Sequence, residues 1–235
     1  RHRSGGQVKM VLPWGPEAPQ PHGLGDVPGR AQQIGEQAPH GDSSLPPGFP
    51  RLGAKLTVSE MRANGLFLLD TPRELGDFAL VTHRGEPFVP ASLEGHWSLV
   101  FFGFTHCPDI CPTTMAFLDR LAGELEGTEA GDTDVFMVSV DPARDTVEQL
   151  ASYVPYFNED FTGVTGEFLD LFNFATRLNS PFRKVPGQGE DYVIDHSANV
   201  VLINPRGDYH GFFRAPLDLA KMKVTLRSAR YLWNR

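Results

Sequence analysis

The chain has 235 residues, with 21 basic and 29 acidic side chains and a net charge of −8. That length buries a sizeable core and fits one α/β domain with extensions. The acidic balance argues against a nucleic-acid partner. Two cysteines are too few for a secreted disulfide scaffold, and no run reaches the ~18 apolar residues of a membrane span. The chain opens on Arg1 and not on Met, which is consistent with a trimmed form whose anchor or signal peptide lay upstream.

Residues 1–50 hold nine Pro and nine Gly, above the ~25–30% that marks low complexity. They read as a flexible extension, with His2, His22 and His40 as solvated tail residues. Residues 51–74 read as a lead-in segment. There Thr57-Val-Ser-Glu60 has the pattern of a capping box before a short helix, and Leu66–Leu69 is apolar enough to rest on the domain.

The globular domain is expected over 75–235. Asp77–Thr82 and Pro87–Val89 flank a turn at His83–Glu86 and predict an N-terminal hairpin, with His83 and His96 as exposed turn residues. Trp97–Phe104 is nearly continuously apolar and predicts a strand buried on both faces. Thr113–Leu125 has a helical apolar pattern closed by Gly127. Val135–Val140 predicts a second buried strand, followed by a loop at Asp141–Arg144. Asp145 or Thr146 can then cap a helix over Val147–Tyr156. Phe161–Val164 is strand-like, Glu167–Leu178 helical, and Tyr192–Ile194 and Val200–Ile203 apolar and β-branched. A turn at Asn204–Gly207 leads to a returning strand, Tyr209–Phe213, and a last helix over Leu217–Leu232. The alternation predicts an α/β fold, a mixed sheet with helices on both faces.

Cys107 and Cys111 are the only cysteines, and they fall between the first buried strand and the helix after it. The carboxyl end of such a strand is where open α/β sheets place ligand sites. Side chains four apart on a helical turn share a face, so the sulfurs can close a disulfide or converge on one metal ion. Pro108 suits a first helical position, and the free N–H groups there stabilise a thiolate at Cys107. His196 lies at the end of an apolar segment beside Asp195, a carboxylate able to orient its ring. His106 adjoins Cys107, but neighbours point apart at a helix start, so it suits an electrostatic role. Met115 fits core packing better than thioether ligation.

Three stretches resemble the SCO/SenC family of copper proteins: Gly103-Phe-Thr-His-Cys-Pro-Asp-Ile-Cys-Pro-Thr-Thr114, Val140-Asp-Pro-Ala-Arg-Asp-Thr146 and Asp191-Tyr-Val-Ile-Asp-His-Ser197. The resemblance implies a thioredoxin-like fold and one copper ion per chain, Cu(I) or Cu(II), on Cys107, Cys111 and His196. It implies a role in building the dinuclear copper centre of cytochrome c oxidase, as copper donor, thiol reductant or both. The implied partners are the oxidase's copper-bearing subunit and other copper chaperones. The implied location is the periplasmic face of a bacterial inner membrane, or the mitochondrial intermembrane space, with a membrane tether outside this chain. The chemistry agrees: two thiolates are soft ligands for Cu(I), and an added imidazole also holds Cu(II). A structural zinc site would need a fourth ligand. The alternative is a thiol–disulfide oxidoreductase or thiol peroxidase working through Cys107 and Cys111. The segment before Val200 lacks the proline that thioredoxin-like oxidoreductases carry there, which weakens that alternative.

Overall fold

The computed structural model describes residues 55–185 and 192–235. The extension over 1–50 therefore lies outside the described residues. The chain begins with α1 (Val58–Ala63), β1 (Leu66–Arg73), β2 (Leu80–Thr82), β3 (Pro87–Phe88) and a 3₁₀ turn at Pro90–Leu93. Next come β4 (Ser98–Gly103), α2 (Ile110–Leu125), β5 (Asp134–Ser139), α3 (Val147–Tyr153), β6 (Thr162–Thr165) and α4 (Phe168–Arg177). The last elements are β7 (Arg183–Lys184), β8 (Ile194–Asp195), β9 (Val200–Ile203), β10 (Tyr209–Phe213) and α5 (Leu219–Trp233).

Among the described residues, eight strands form one sheet in the order β1-β10-β9-β4-β5-β6-β2-β3. β4, β5 and β6 run parallel, while β9 joins β4 from the other side antiparallel. Every residue of β4 is buried, as expected of a strand covered on both faces. The alternation of the strand distributes its side chains. Phe102 meets Phe174 of α4 on one face, with ring centroids 6.1 Å apart. Gly103 faces Cys111 of α2 on the other. The mixed sheet and the β2–β3 hairpin agree with the sequence reading.

Three expectations are corrected. The domain does not start at residue 75: β1 pairs antiparallel with β10 along Leu66–Leu68, and Met61 and Leu66 are fully buried. The residues set aside as a lead-in thus supply an edge strand. Their capping box does form, with Thr57 and Glu60 bonding each other's backbone. His83 is buried, not exposed; its Nδ1 accepts the Gly163 N–H at 2.8 Å, and burial lowers its pKa. Tyr192–Ile194 yields only the two-residue β8, which pairs with β7 in a separate ladder.

Candidate metal centre

β4 ends at Gly103, and the chain turns through Phe104–Asp109 into α2. A Cβ at Gly103 would stand 3.1 Å from the Cys111 sulfur and 2.8 Å from the Phe101 ring. Glycine here makes room for a sulfur against the strand. α2 begins at Ile110 with Asp109 as its N-cap. Pro108 therefore precedes the cap, and the expectation of a first helical position is corrected. Pro112 falls inside the first turn, where a missing N–H leaves no bond unmade. Cys107 lies in the turn, half-buried, and Cys111 in the first helical turn, fully buried. The Cys111 N–H donates to the Cys107 sulfur at 3.4 Å, so a free helix-start donor does face that thiol.

His196 arrives from the other side, on the segment between β8 and β9. Its Nε2 is 3.5 Å from the Cys111 sulfur, and its Nδ1 is 3.0 Å from the Ser197 carbonyl. A carbonyl only accepts, so Nδ1 carries the proton and Nε2 turns its lone pair to the sulfurs. The Phe101 and Phe104 rings stand edge-on to the imidazole at 6.1 and 5.7 Å. Burial lowers the His196 pKa, which keeps the ring in its ligating, neutral form. The ligand atoms of Cys107, Cys111 and His196 all lie within 4.8 Å of one another. No fourth Cys, His, Asp or Glu joins them among the described residues. Burial drives the Cys111 thiol far above its ordinary pKa. A buried thiolate there needs a cation to offset its desolvation.

The other candidates stand apart. His106 is exposed and shares a 3.1 Å contact with Thr105 Oγ1. Met115 is fully buried in the core. Asp195 points outward to Arg183 at 3.1 Å, so the Ser197 carbonyl, and not Asp195, orients the His196 ring. His2, His22 and His40 lie outside the described residues.

Two supports were not visible as such in the sequence. Asp145 is fully buried and accepts from the Thr105 N–H at 3.1 Å, the Thr105 hydroxyl at 2.6 Å and the Ser139 hydroxyl at 2.7 Å. It ties the turn carrying Cys107 to the end of β5. Burial raises its pKa, against the pull of the Thr105 and Ser139 hydrogen bonds. Thr146, not Asp145, caps α3. On the histidine side, the Tyr192 hydroxyl donates to Asp141 at 2.6 Å, and Arg144 bonds both Asp141 and the Tyr192 carbonyl. The Arg144 guanidinium lies 3.8 Å from the Tyr192 ring centroid.

A family model described as SCO1/SenC matches residues 69–229. A Stutzerimonas stutzeri protein, whose name assigns it copper binding, is 38% identical over 161 residues, 68% of this chain and 79% of its own length. The copper-bound crystal structure of Arabidopsis thaliana ScoI is 30% identical with a TM-score of 0.62, covering 66% of this chain and 98% of that one. BsSco, a member of the Sco family of cytochrome c oxidase assembly proteins with a disulfide switch, is 25% identical with a TM-score of 0.58; the match covers 70% of this chain and 98% of BsSco. The chain spans about half the length of the mitochondrial relatives it matches. The sheet and its flanking helices are thus thioredoxin-like, and the chain, matched across all three of its motifs, belongs to the SCO1/SenC family.

Proposed function

We propose that this chain is a copper carrier that helps assemble the dinuclear copper centre of cytochrome c oxidase. The observation that carries the reading is the convergence of His196 Nε2 on two sulfurs, all within 4.8 Å. A dithiol oxidoreductase has no need of that imidazole, so its placement favours metal over disulfide chemistry. Two thiolates select Cu(I), and the imidazole extends the set to Cu(II). A three-ligand site also leaves the cargo open to a recipient's ligands, as transfer requires. The cargo is one copper per chain, on Cys107, Cys111 and His196.

The recipient in this reading is the copper-bearing oxidase subunit, with other copper chaperones as donors. The workplace is the periplasmic face of a bacterial inner membrane, reached through a tether outside this chain. Among the described residues no helix is long and apolar enough to cross a membrane. Thiol reduction of the recipient is the second role; Cys107 and Cys111 are both free thiols four residues apart at a helix start. Copper and the disulfide compete for the same sulfurs, because a disulfide sulfur is a poor ligand.

The test is titration of the reduced protein with Cu(I) and Cu(II) against a competing chelator, beside His196→Ala. The expected result is one tight copper per chain, loss of tight binding on oxidation, and a Cu(II) loss beyond ~100-fold in the variant. Cu(I) should fall less, since both thiolates remain. Equal Cu(II) affinity in the two proteins would remove His196 from the site and restore the dithiol enzyme.

A further inference from the structure

The end of the sheet that holds the centre also carries apolar surface that the fold does not need. β4, β5 and β6 run parallel, so α2, α3 and α4, which follow them, all begin at that end. α4 buries Leu171, Phe174 and Ala175, and with buried Leu178 they form the face that a helix turns to a core. Its first two residues break that economy: Phe168 is 54% exposed and Leu169 68%. Phe168 stacks on Phe172 with centroids 6.0 Å apart, and both rings meet the buried Phe182 edge-on, at 5.9 and 5.7 Å. Phe168 and Phe182 wall a cavity of about 500 Å³ that Tyr192 and Ile194 also line. A cleft of about 430 Å³ lies against His196 itself. Phe182 and Arg183 line both, so the apolar pocket adjoins the open side of the metal centre.

We propose that this pocket takes a bulky apolar side chain of the protein that receives the metal, and that the exposed cations of β7 take a carboxylate beside it. This rests on the copper-carrier reading. Three observations single out that occupant. A recipient must bring its own ligands to the sulfurs and to His196, and the cleft against His196 shares two of its residues with the pocket. The pocket wall is preformed: the three phenylalanine rings hold one another, so little ordering is needed when a guest side chain enters. Both residues of β7, Arg183 and Lys184, are exposed cations, a basic rim on a chain of net charge −8. Arg183 pairs with Asp195, and an exposed pair of that kind holds too weakly to bar exchange for a partner's carboxylate. The Lys184 ammonium rests on the Tyr192 ring, 3.5 Å from its centroid, at the pocket's edge. Glu167 lines the α4 side of the pocket and repels a carboxylate there, which directs the partner's acidic group to β7. An apolar anchor in a pocket supplies affinity, and the charged neighbour supplies orientation. Phe168 is thus a docking residue that aligns the recipient with the centre without being a ligand.

The experiment loads the full chain with Cu(I) and follows transfer to the soluble copper-bearing domain of the oxidase subunit and, separately, to a small chelator. Wild type is compared with Phe168→Ala, Lys184→Glu and Tyr156→Ala. Tyr156 is 84% exposed, lies beyond the carboxyl end of α3 and serves as the control. Phe168→Ala should slow transfer to the protein about tenfold. Lys184→Glu should slow it too, most strongly at low salt. Tyr156→Ala should match wild type, and all four proteins should deliver copper to the chelator at one rate. A wild-type rate of transfer to the protein in either pocket variant would overturn the inference and leave the carrier reading intact. Slowed transfer to the chelator would also overturn it, by showing that the residue acts on the centre. So would a wild-type dimer that Phe168→Ala dissolves in sedimentation, which would assign the pocket to a second copy of this chain. A wild type that loads the chelator but not the oxidase domain would overturn the recipient reading and this inference together.

Discussion

The cysteines stand on a turn tied into the sheet from several sides, and His196 stands on a segment held through side chains at its margin. Thr105 places both its N–H and its hydroxyl on Asp145, and Asp145 is anchored again by Ser139 at the end of β5. Gly103 seats the Cys111 sulfur against buried β4. The histidine side has the two-residue β8 and the Tyr192 contacts with Asp141 and Arg144. Its ion pair, Arg183 with Asp195, is largely exposed, and such pairs contribute at most ~1 kcal/mol. On the proposed copper-carrier reading, the difference shows how one site can be both selective and releasing. The thiol side is preformed and the imidazole side is more lightly built, so the grip on the cargo can be loosened at one ligand.

The largest effect expected from breaking this arrangement is Cys111→Ala. It removes a ligand from the well-anchored side without burying a new polar group. Copper affinity should fall well beyond the ~10–100-fold that loss of an outer supporting partner costs, measured by chelator competition in both oxidation states. His196→Ala should fall short of this for Cu(I). Equal losses in the two variants would erase the proposed asymmetry.

Asp145→Ala attacks the thiol side through its anchor. It leaves the Thr105 N–H and the Thr105 and Ser139 hydroxyls without their acceptor in the interior. Stability should drop by about 2–4 kcal/mol, read by urea denaturation. Asp145→Asn keeps one acceptor oxygen and should recover part of that loss. A drop under ~1 kcal/mol would show that the turn is held by packing alone.

How much of this could be read beforehand depended on sequence distance. The cysteine pair was legible because both residues and their strand-to-helix turn sit in one short stretch. The role of Asp145 was not: its partners Thr105 and Ser139 lie 40 and 6 residues away, and a carboxylate before a helix has the local pattern of a cap. His83 was misread for the same reason. It sits among Arg84, Gly85 and Glu86, the makings of an exposed turn, yet an N–H 80 residues away buries it. β1 was legible as an apolar stretch, but its partner β10 lies at the far end of the chain. Residue alternation identifies strands; it does not name their neighbours.

A second buried histidine sharpens what singles out His196. His210 stands between Trp97 and Trp233, with ring centroids 5.1 and 5.5 Å away, and no sulfur ligand joins it. Burial, and then Arg206, push its pKa down to about 4. An unfolded histidine titrates near ~6.5, so below that pH the unfolded chain binds the proton more readily. Stability from a neutral His210 is complete above ~6.5, declines as pH falls, and levels off below about 4. The loss should total ~3 kcal/mol. The difference between wild-type and His210→Phe stability curves isolates it from His83 and His196, whose pKa values also fall on burial. Copper affinity of His210→Phe should be unchanged at pH 7. A flat difference curve would mean that this ring reaches water in the folded chain.

The smallest expected effect falls on the histidine side, at Tyr192→Phe. The substitution removes only the hydroxyl that donates to Asp141 at 2.6 Å. The ring stays, and with it the stacking of Arg144 at 3.8 Å and Lys184 at 3.5 Å. Arg144 also keeps its bond to the Tyr192 carbonyl, and Asp141 keeps Arg144. One hydrogen bond to the buried Asp141 carboxylate is lost from a half-buried Tyr192, and with Arg144 still on Asp141 global stability should fall by only ~1.5 kcal/mol. The informative reading is the ligand side. Tyr192 lies four residues before His196, and its bond fixes where that segment leaves the Asp141 loop. Cu(II) affinity should therefore fall by a few-fold, while Cu(I) affinity, resting on the two thiolates, should barely move. Parallel chelator competitions in the two oxidation states measure this. A Cu(I) loss as large as the Cu(II) loss would mean that the Tyr192 anchor serves the whole centre, and that the two sides are not built independently.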